Sequence, residues 1–105
     1  MTSDSRLSQL LQFLTENPND VFINYALGME YLAKNDTAKA ADYFQKTIAL
    51  DENYTAAYYQ SGKLFETTDV EKSKDFYNRG IIIAQKLNKR HELMELKEAL
   101  QMLEE

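Results

Sequence analysis

The apolar residues of this chain recur at helical spacing along most of its length. Near the N-terminus, leucines fall at positions i, i+3, i+4 and i+7, so that they share one side of a helix: Leu7, Leu10, Leu11 and Leu14. Comparable apolar stripes follow, and short polar segments separate them. The pattern predicts six helices, over residues 5–16, 21–34, 37–50, 54–66, 70–87 and 90–103.

Polar turns of about three residues join the predicted helices. Pro18 biases Asn17 away from helical geometry and ends the first helix. The later turns supply residues that cap helix N-termini well. The candidates are Asp20 or Asn19 for the second helix, Asp36 or Thr37 for the third, and Asp69 for the fifth. Because short connections join antiparallel neighbours, we expect the helices to pair as hairpins.

The hairpins repeat along the sequence. Gly28 and Gly62 are 34 residues apart, and the offset falls to 33 after the turn inside each hairpin. A polar–aromatic–aromatic triplet then recurs at the same phase, as residues 42–44 and 75–77. We expect small side chains where the two helices of a hairpin cross, and bulky rings in the facing gaps. The small residues are Gly28, Gly62, Ala40 and Ser73, and the rings are Tyr31, Phe44, Phe65 and Tyr77.

This period and pattern resemble the tetratricopeptide repeat, whose motif is W-x2-L-G-x2-Y, later A-x3-F and then P. The first copy matches it at five positions, which are Leu27, Gly28, Tyr31, Ala40 and Phe44, and departs from it at Asn24 and Glu52. The second copy keeps Gly62, with an aromatic residue at position 58 as in the motif. The resemblance covers residues 5–87 and implies an all-α superhelix of antiparallel helix hairpins. Its parts would form a single domain: an N-terminal helix (5–16), two repeats (21–54 and 55–87) and a capping helix (90–104).

The resemblance also implies that the first helix of each hairpin lines a concave groove. The predicted groove residues are Phe22, Tyr25 and Met29 in the first repeat, and Tyr59, Lys63 and Glu66 in the second. An aromatic and apolar surface with a cation beside it suits an extended segment or an amphipathic helix of a partner. We therefore predict a protein-interaction module that binds another polypeptide.

Two alternatives compete with that prediction. Phe22, Met29 and Leu32 could be ordinary packing residues against the N-terminal helix. The apolar groove residues could also be covered in a homodimer, which would make the protein a self-associating structural module with no separate ligand.

The composition argues against several other classes of function. The formal net charge is −5 and the basic residues are scattered, which argues against nucleic acid as a partner. The chain has no cysteine and a single histidine, His91, so no catalytic triad, metal site or cofactor site is predicted. The longest apolar run, residues 81–84, is too short to cross a bilayer. Since residues 1–4 lack the basic start of a signal peptide, we expect a cytoplasmic protein without a membrane partner.

Overall fold

A computed structural model of the chain describes residues 3–105, and all regular secondary structure in that range is helical. The six helices are α1 (Ser3–Glu16), α2 (Val21–Ala33), α3 (Thr37–Leu50), α4 (Thr55–Phe65), α5 (Val70–Lys86) and α6 (Arg90–Glu104). The predicted fold class, an all-α array of helix hairpins, is confirmed. Over the described residues, no helix combines the length and the apolar character needed to span a bilayer. The signal-peptide expectation rests partly on Met1 and Thr2, which lie outside the described residues.

The chain divides into two compact units, of which the first ends at Asp51 and the second begins at Glu52. In the first unit, α1 packs on α2, and α2 packs on α3. In the second unit, α4 packs on α5, and α6 packs on both of them. Each unit is therefore one helix hairpin with one extra helix. The extra helix precedes the hairpin in the first unit and follows it in the second.

Aspartates cap three of the helices. The Asp20, Asp36 and Asp69 carboxylates each accept a hydrogen bond from the backbone N–H three residues later. The acceptor distances are 3.0 Å to Ile23, 3.2 Å to Lys39 and 3.1 Å to Lys72. This geometry satisfies N–H groups that the first turn of a helix leaves without a partner. Of the predicted alternatives, the aspartate is the capping residue at both α2 and α3.

Asparagines in the left-handed conformation reverse the chain after α2 and after α5. Asn35 has φ 61° and Asn88 has φ 57°. Immediately after each asparagine, a backbone N–H bonds back across the last turn of the helix at 2.9 Å. Asparagine tolerates this conformation better than most residues with a side chain. The turns after α2 and α5 therefore have a defined backbone geometry.

Rings cover the repeated glycines inside each hairpin. A Cβ atom added at Gly28 would lie 2.5 Å from Cε1 of Phe44, and one added at Gly62 would lie 2.6 Å from Cδ1 of Tyr77. Both rings are fully buried. Because Cβ atoms do not approach other heavy atoms this closely, only glycine fits beneath either ring. The predicted pairing of small residues with large rings is confirmed at these two positions.

The other two predicted rings lie elsewhere in the same hairpins. Tyr31 and Phe65 stack on the residues that precede Phe44 and Tyr77. Tyr31 lies 5.6 Å from Tyr43 between ring centroids, with 7° between the ring planes. Phe65 lies 6.0 Å from Phe76, with 12° between the planes. In each hairpin, the second predicted ring therefore stacks on an aromatic residue of the partner helix.

Asn24 stands where the repeat motif has an aromatic residue, yet it makes a hydrogen bond equivalent to the one that Tyr58 makes in the second unit. The buried Asn24 amide donates to the Pro18 carbonyl at 3.2 Å and to the Asp20 carbonyl at 2.8 Å. In the second unit, the Tyr58 hydroxyl donates to the Glu52 carbonyl at 2.7 Å. Residues 18 and 52 are one repeat length apart, and each lies just before a hairpin, three residues before the first residue of α2 or of α4. An amide and a phenol therefore fasten the same backbone position, one in each unit.

Candidate partner-binding groove

The predicted groove residues of the first unit lie on α2 at the surface. Phe22 is 69% exposed and Met29 is 37% exposed. Tyr25 is half-buried, with its ring centroid 5.6 Å from that of Phe44. The exposure of Phe22 argues against the alternative that this side chain is ordinary packing against α1.

The predicted residues of the second unit line a groove of about 370 Å³ between α4 and α6, called here the α4/α6 groove. It is lined on one side by Tyr59 and Lys63 of α4 and by Glu66, which directly follows α4, and on the other by the α6 residues Glu95, Glu98, Ala99, Met102 and Leu103. The structure thus brings together all three groove residues that the sequence indicated in the second repeat. The sequence analysis missed all five residues on α6.

Helical spacing explains why these side chains meet. Tyr59 and Lys63 are four residues apart on one face of α4, and Glu66, which caps the helix in a helical backbone conformation, continues the same face three residues later. On α6, the residues from Glu95 to Met102 that line the groove follow the same spacing. The leucines of α6 lie beside them: Leu96 is buried with Tyr77 and Ala84, and Leu93, Leu100 and Leu103 pack against this cluster. One side of α6 therefore anchors the helix while the next side forms a wall of the groove.

Tyr59 is held firmly at the base of the groove. Its ring packs against the buried cluster around Tyr77, with 6.3 Å between the two ring centroids and 51° between the planes. The Lys63 ammonium lies 5.7 Å from the centroid of the Tyr59 ring, within range of a cation–π interaction. A rigid aromatic side chain loses little conformational entropy when a ligand binds, so Tyr59 is well suited to be an anchor.

Glu66 is held in place from inside the hairpin. The Tyr77 hydroxyl donates a hydrogen bond of 2.6 Å to Oε2 of Glu66. Burial raises the pKa of Tyr77 well above its usual value, and donation to the carboxylate raises it further, so the phenol stays neutral. The first repeat has Leu32 and Phe44 at the equivalent positions. A hydrogen-bonded pair has replaced an apolar pair, and it presents a fixed carboxylate to the groove.

A smaller cleft of about 250 Å³ adjoins the α4/α6 groove and shares Tyr59 and Glu95 with it. Its further lining residues are Thr55, Ala56, Gln60, Glu92 and Leu96. His91, the one histidine of the chain, is 85% exposed in its side chain and lies at the start of α6. Its Nε2 atom is 3.5 Å from Oε1 of Glu95. Across residues 3–105, no three histidine or carboxylate side chains are grouped closely enough to hold a metal ion.

We compared the chain with family models, curated proteins and solved structures. No family model matches the chain. No curated protein matches it either. Among solved structures, the crystal structure of a tetratricopeptide repeat domain protein from Salinibacter ruber is 32% identical, with a TM-score of 0.76, over 81% of this chain and 96% of that one. The chain belongs to the tetratricopeptide repeat family.

Two further solved structures are similar to the chain. A solution NMR structure of a Salinibacter ruber tetratricopeptide repeat domain protein is 33% identical over 83% of this chain and 89% of that one, with a TM-score of 0.77. The crystal structure of MamA is 18% identical, covers 96% of this chain and 66% of that one, and has a TM-score of 0.72, which supports the fold alone. Tetratricopeptide repeat domains are in general protein-interaction modules, and scaffolds rather than catalysts.

Proposed function

We propose that this tetratricopeptide repeat protein binds a segment of a partner polypeptide in the α4/α6 groove, with Tyr59 as the anchor. The observation that carries the proposal is the groove itself, which has a half-buried aromatic ring at its base and an exposed methionine, Met102, on its wall. Aromatic residues dominate the binding energy of many interfaces, and methionine adapts its shape to different ligands. For the first unit, partner contacts by Phe22, Tyr25 and Met29 are a separate proposal.

The test begins with a random peptide library displayed on phage and selected against the immobilised protein. The affinity of the enriched peptides is then measured for the unmodified chain and for Tyr59→Ala. Removal of a central aromatic anchor should weaken binding by about 10- to 100-fold. Circular dichroism of the variant checks that its helix content is unchanged.

A second variant and a control keep the test decisive if Tyr59→Ala disturbs the core. Met102 is 73% exposed, so Met102→Ala cannot leave a buried cavity, and it should weaken binding by roughly two- to fivefold. Ile82, on α5, is 63% exposed and does not line the groove, so Ile82→Ala is the matched control. Enriched peptides that bind all three variants as tightly as the unmodified chain would remove the groove from consideration.

The second candidate function is a homodimer without a separate ligand. The exposure of Phe22 favours it, because a large exposed apolar side chain is a common feature of subunit interfaces. Light scattering over a concentration series separates the two functions. A chain that stays monomeric at high concentration is incompatible with the homodimer, whereas a dimer weakened by Phe22→Ala would support it.

A further inference from the structure

Carboxylates dominate the charge of the α4/α6 groove. Glu66, Glu95 and Glu98 line it together with one cation, Lys63. The adjoining cleft adds Glu92 and no basic residue. The ammonium of Lys63 lies beside the Tyr59 ring. The groove therefore has a negative potential that favours cationic ligands and disfavours acidic ones.

The acidic residues of α6 form a row along its wall. Glu92, Glu95 and Glu98 follow one another at three-residue steps, so they rise along the helix by about 4.5 Å per step. Like charges at this spacing repel each other and destabilise a helix slightly. A ligand with cations beside this row would relieve the repulsion.

Glu66 adds a carboxylate on the opposite wall, and a hydrogen bond restricts the orientation of this side chain. The Tyr77 hydroxyl holds one oxygen of this carboxylate at 2.6 Å. Its second oxygen can still accept a hydrogen bond. A lysine or arginine side chain entering the groove would thus have carboxylates on both walls.

The remaining lining residues are apolar. Tyr59 forms the base of the groove, and Ala99, Met102 and Leu103 line the α6 side. A ligand that covers these residues needs apolar side chains next to its cations. A nucleic acid strand carries negative charge throughout and is excluded by the sign of the potential.

From this distribution we infer that the segment bound in the α4/α6 groove is a basic amphipathic stretch of a partner protein. Its Lys or Arg side chains pair with Glu66, Glu95 and Glu98, and its apolar side chains lie on Tyr59 and Met102. The inference rests on the proposed function and adds the chemical class of the partner.

Three synthetic peptides with identical leucine positions test it. They carry lysine, glutamine or glutamate at the intervening positions and are about 12 residues long, or about 18 Å as a helix. Their affinities for the protein are measured by fluorescence anisotropy at low and at physiological ionic strength. The lysine peptide should bind at least tenfold more tightly than the glutamine peptide at low salt, and the advantage should shrink at higher salt. The glutamate peptide should bind most weakly.

Paired variants separate the groove charges from the net charge of the chain. Glu95→Gln combined with Glu98→Gln removes two charges from the groove, and Glu16→Gln combined with Glu71→Gln removes two exposed charges elsewhere. The groove pair should weaken binding of the lysine peptide by roughly five- to tenfold, and the control pair by less than about twofold. Neither pair should change the affinity of the glutamine peptide.

The outcomes distinguish this inference from the proposed function. Equal affinity for the lysine and glutamine peptides, with both weakened by Tyr59→Ala, overturns the basic partner and leaves the groove as the binding site. Equal losses in the groove pair and the control pair also overturn it, since the attraction would then come from the whole chain. A lysine peptide that does not bind at all overturns it as well. Peptide binding that is indifferent to both Tyr59→Ala and Met102→Ala removes the proposed function itself.

Discussion

The hydrogen-bonded pair of Tyr77 and Glu66 can be exchanged for the apolar pair that the first repeat uses. Tyr77→Phe and Glu66→Leu, made singly and together, convert these two positions to the Phe44 and Leu32 pattern. The three variants and the unmodified chain complete a double-mutant cycle. Such a cycle isolates the energy of the contact between the two residues.

The magnitudes follow from burial and from the 2.6 Å hydrogen bond. Tyr77 is fully buried, so Glu66→Leu leaves its hydroxyl without the carboxylate acceptor and should cost about 1–3 kcal/mol. Tyr77→Phe removes the donor from a half-buried carboxylate that water can reach in part, which should cost about 1 kcal/mol. When both partners become apolar, little polar surface is left unsatisfied, and the double variant should lose less than about 1 kcal/mol.

The assay is urea unfolding followed by circular dichroism at pH 7, with the free energy of unfolding extrapolated to water. The expected coupling energy, which is the sum of the two single losses minus the loss of the double variant, is about 1–4 kcal/mol. Tyr77→Phe combined with Glu104→Leu is the control cycle, because Glu104 is exposed at the end of α6 and should show additive losses. If the free-energy loss of the Glu66 and Tyr77 double variant equals the sum of its two single losses, the pair is not a coupled unit and the reasoning fails.

Three further predictions concern the repeated elements. Gly28→Ala should destabilise the protein by about 1–2 kcal/mol in urea unfolding. The added methyl group would overpack against the Phe44 ring, and this cost exceeds the gain from the better helix propensity of alanine. A rise in stability would contradict the close approach of the ring. Asp69→Ala should lower the free energy of unfolding by about 1 kcal/mol, because it removes the N-terminal cap of α5. The control Asp75→Ala, at an exposed position inside the same helix, should lower it by less than about 0.5 kcal/mol. Equal losses would rule out the cap. Burial raises the pKa of Tyr77 in the folded state, so the unfolded chain releases this proton first, and stability that is complete below about pH 10 falls as the pH rises further. The free energy of unfolding of Tyr77→Phe should therefore fall less steeply above pH 10 than that of the unmodified chain, and identical slopes would refute the assignment.

The sequence was sufficient to predict the elements of the fold. Helical spacing and polar turns located all six helices to within about two residues at each end. The equal phase of Gly28 and Gly62 predicted the close approach of a ring at both positions, because local spacing determines which residues of a hairpin can face each other. The capping aspartates were predicted for the same reason, since a cap depends on residues within one turn.

The rings and the groove wall were harder to predict. Helical spacing places Tyr31 and Phe65 near the crossings but does not show which ring of the neighbouring helix each one contacts, since only three-dimensional packing determines that. Glu95 and Glu98 belong to a helix outside the repeat, so no equivalent residue indicated their place. Their approach to Tyr59 depends on how α6 packs against α4 and α5, which helical periodicity alone does not determine.

Different sides of α6 pack against the core and face the groove. The leucines on its inner side hold the helix against the core, whereas Glu98 and Met102 face the groove and contribute little to that packing. Substitutions at these two positions could therefore redirect the choice of ligand while the repeats below stay intact. A designer could diversify this single strip of helix to obtain new binding specificities from an unchanged scaffold, and natural variation could follow the same route.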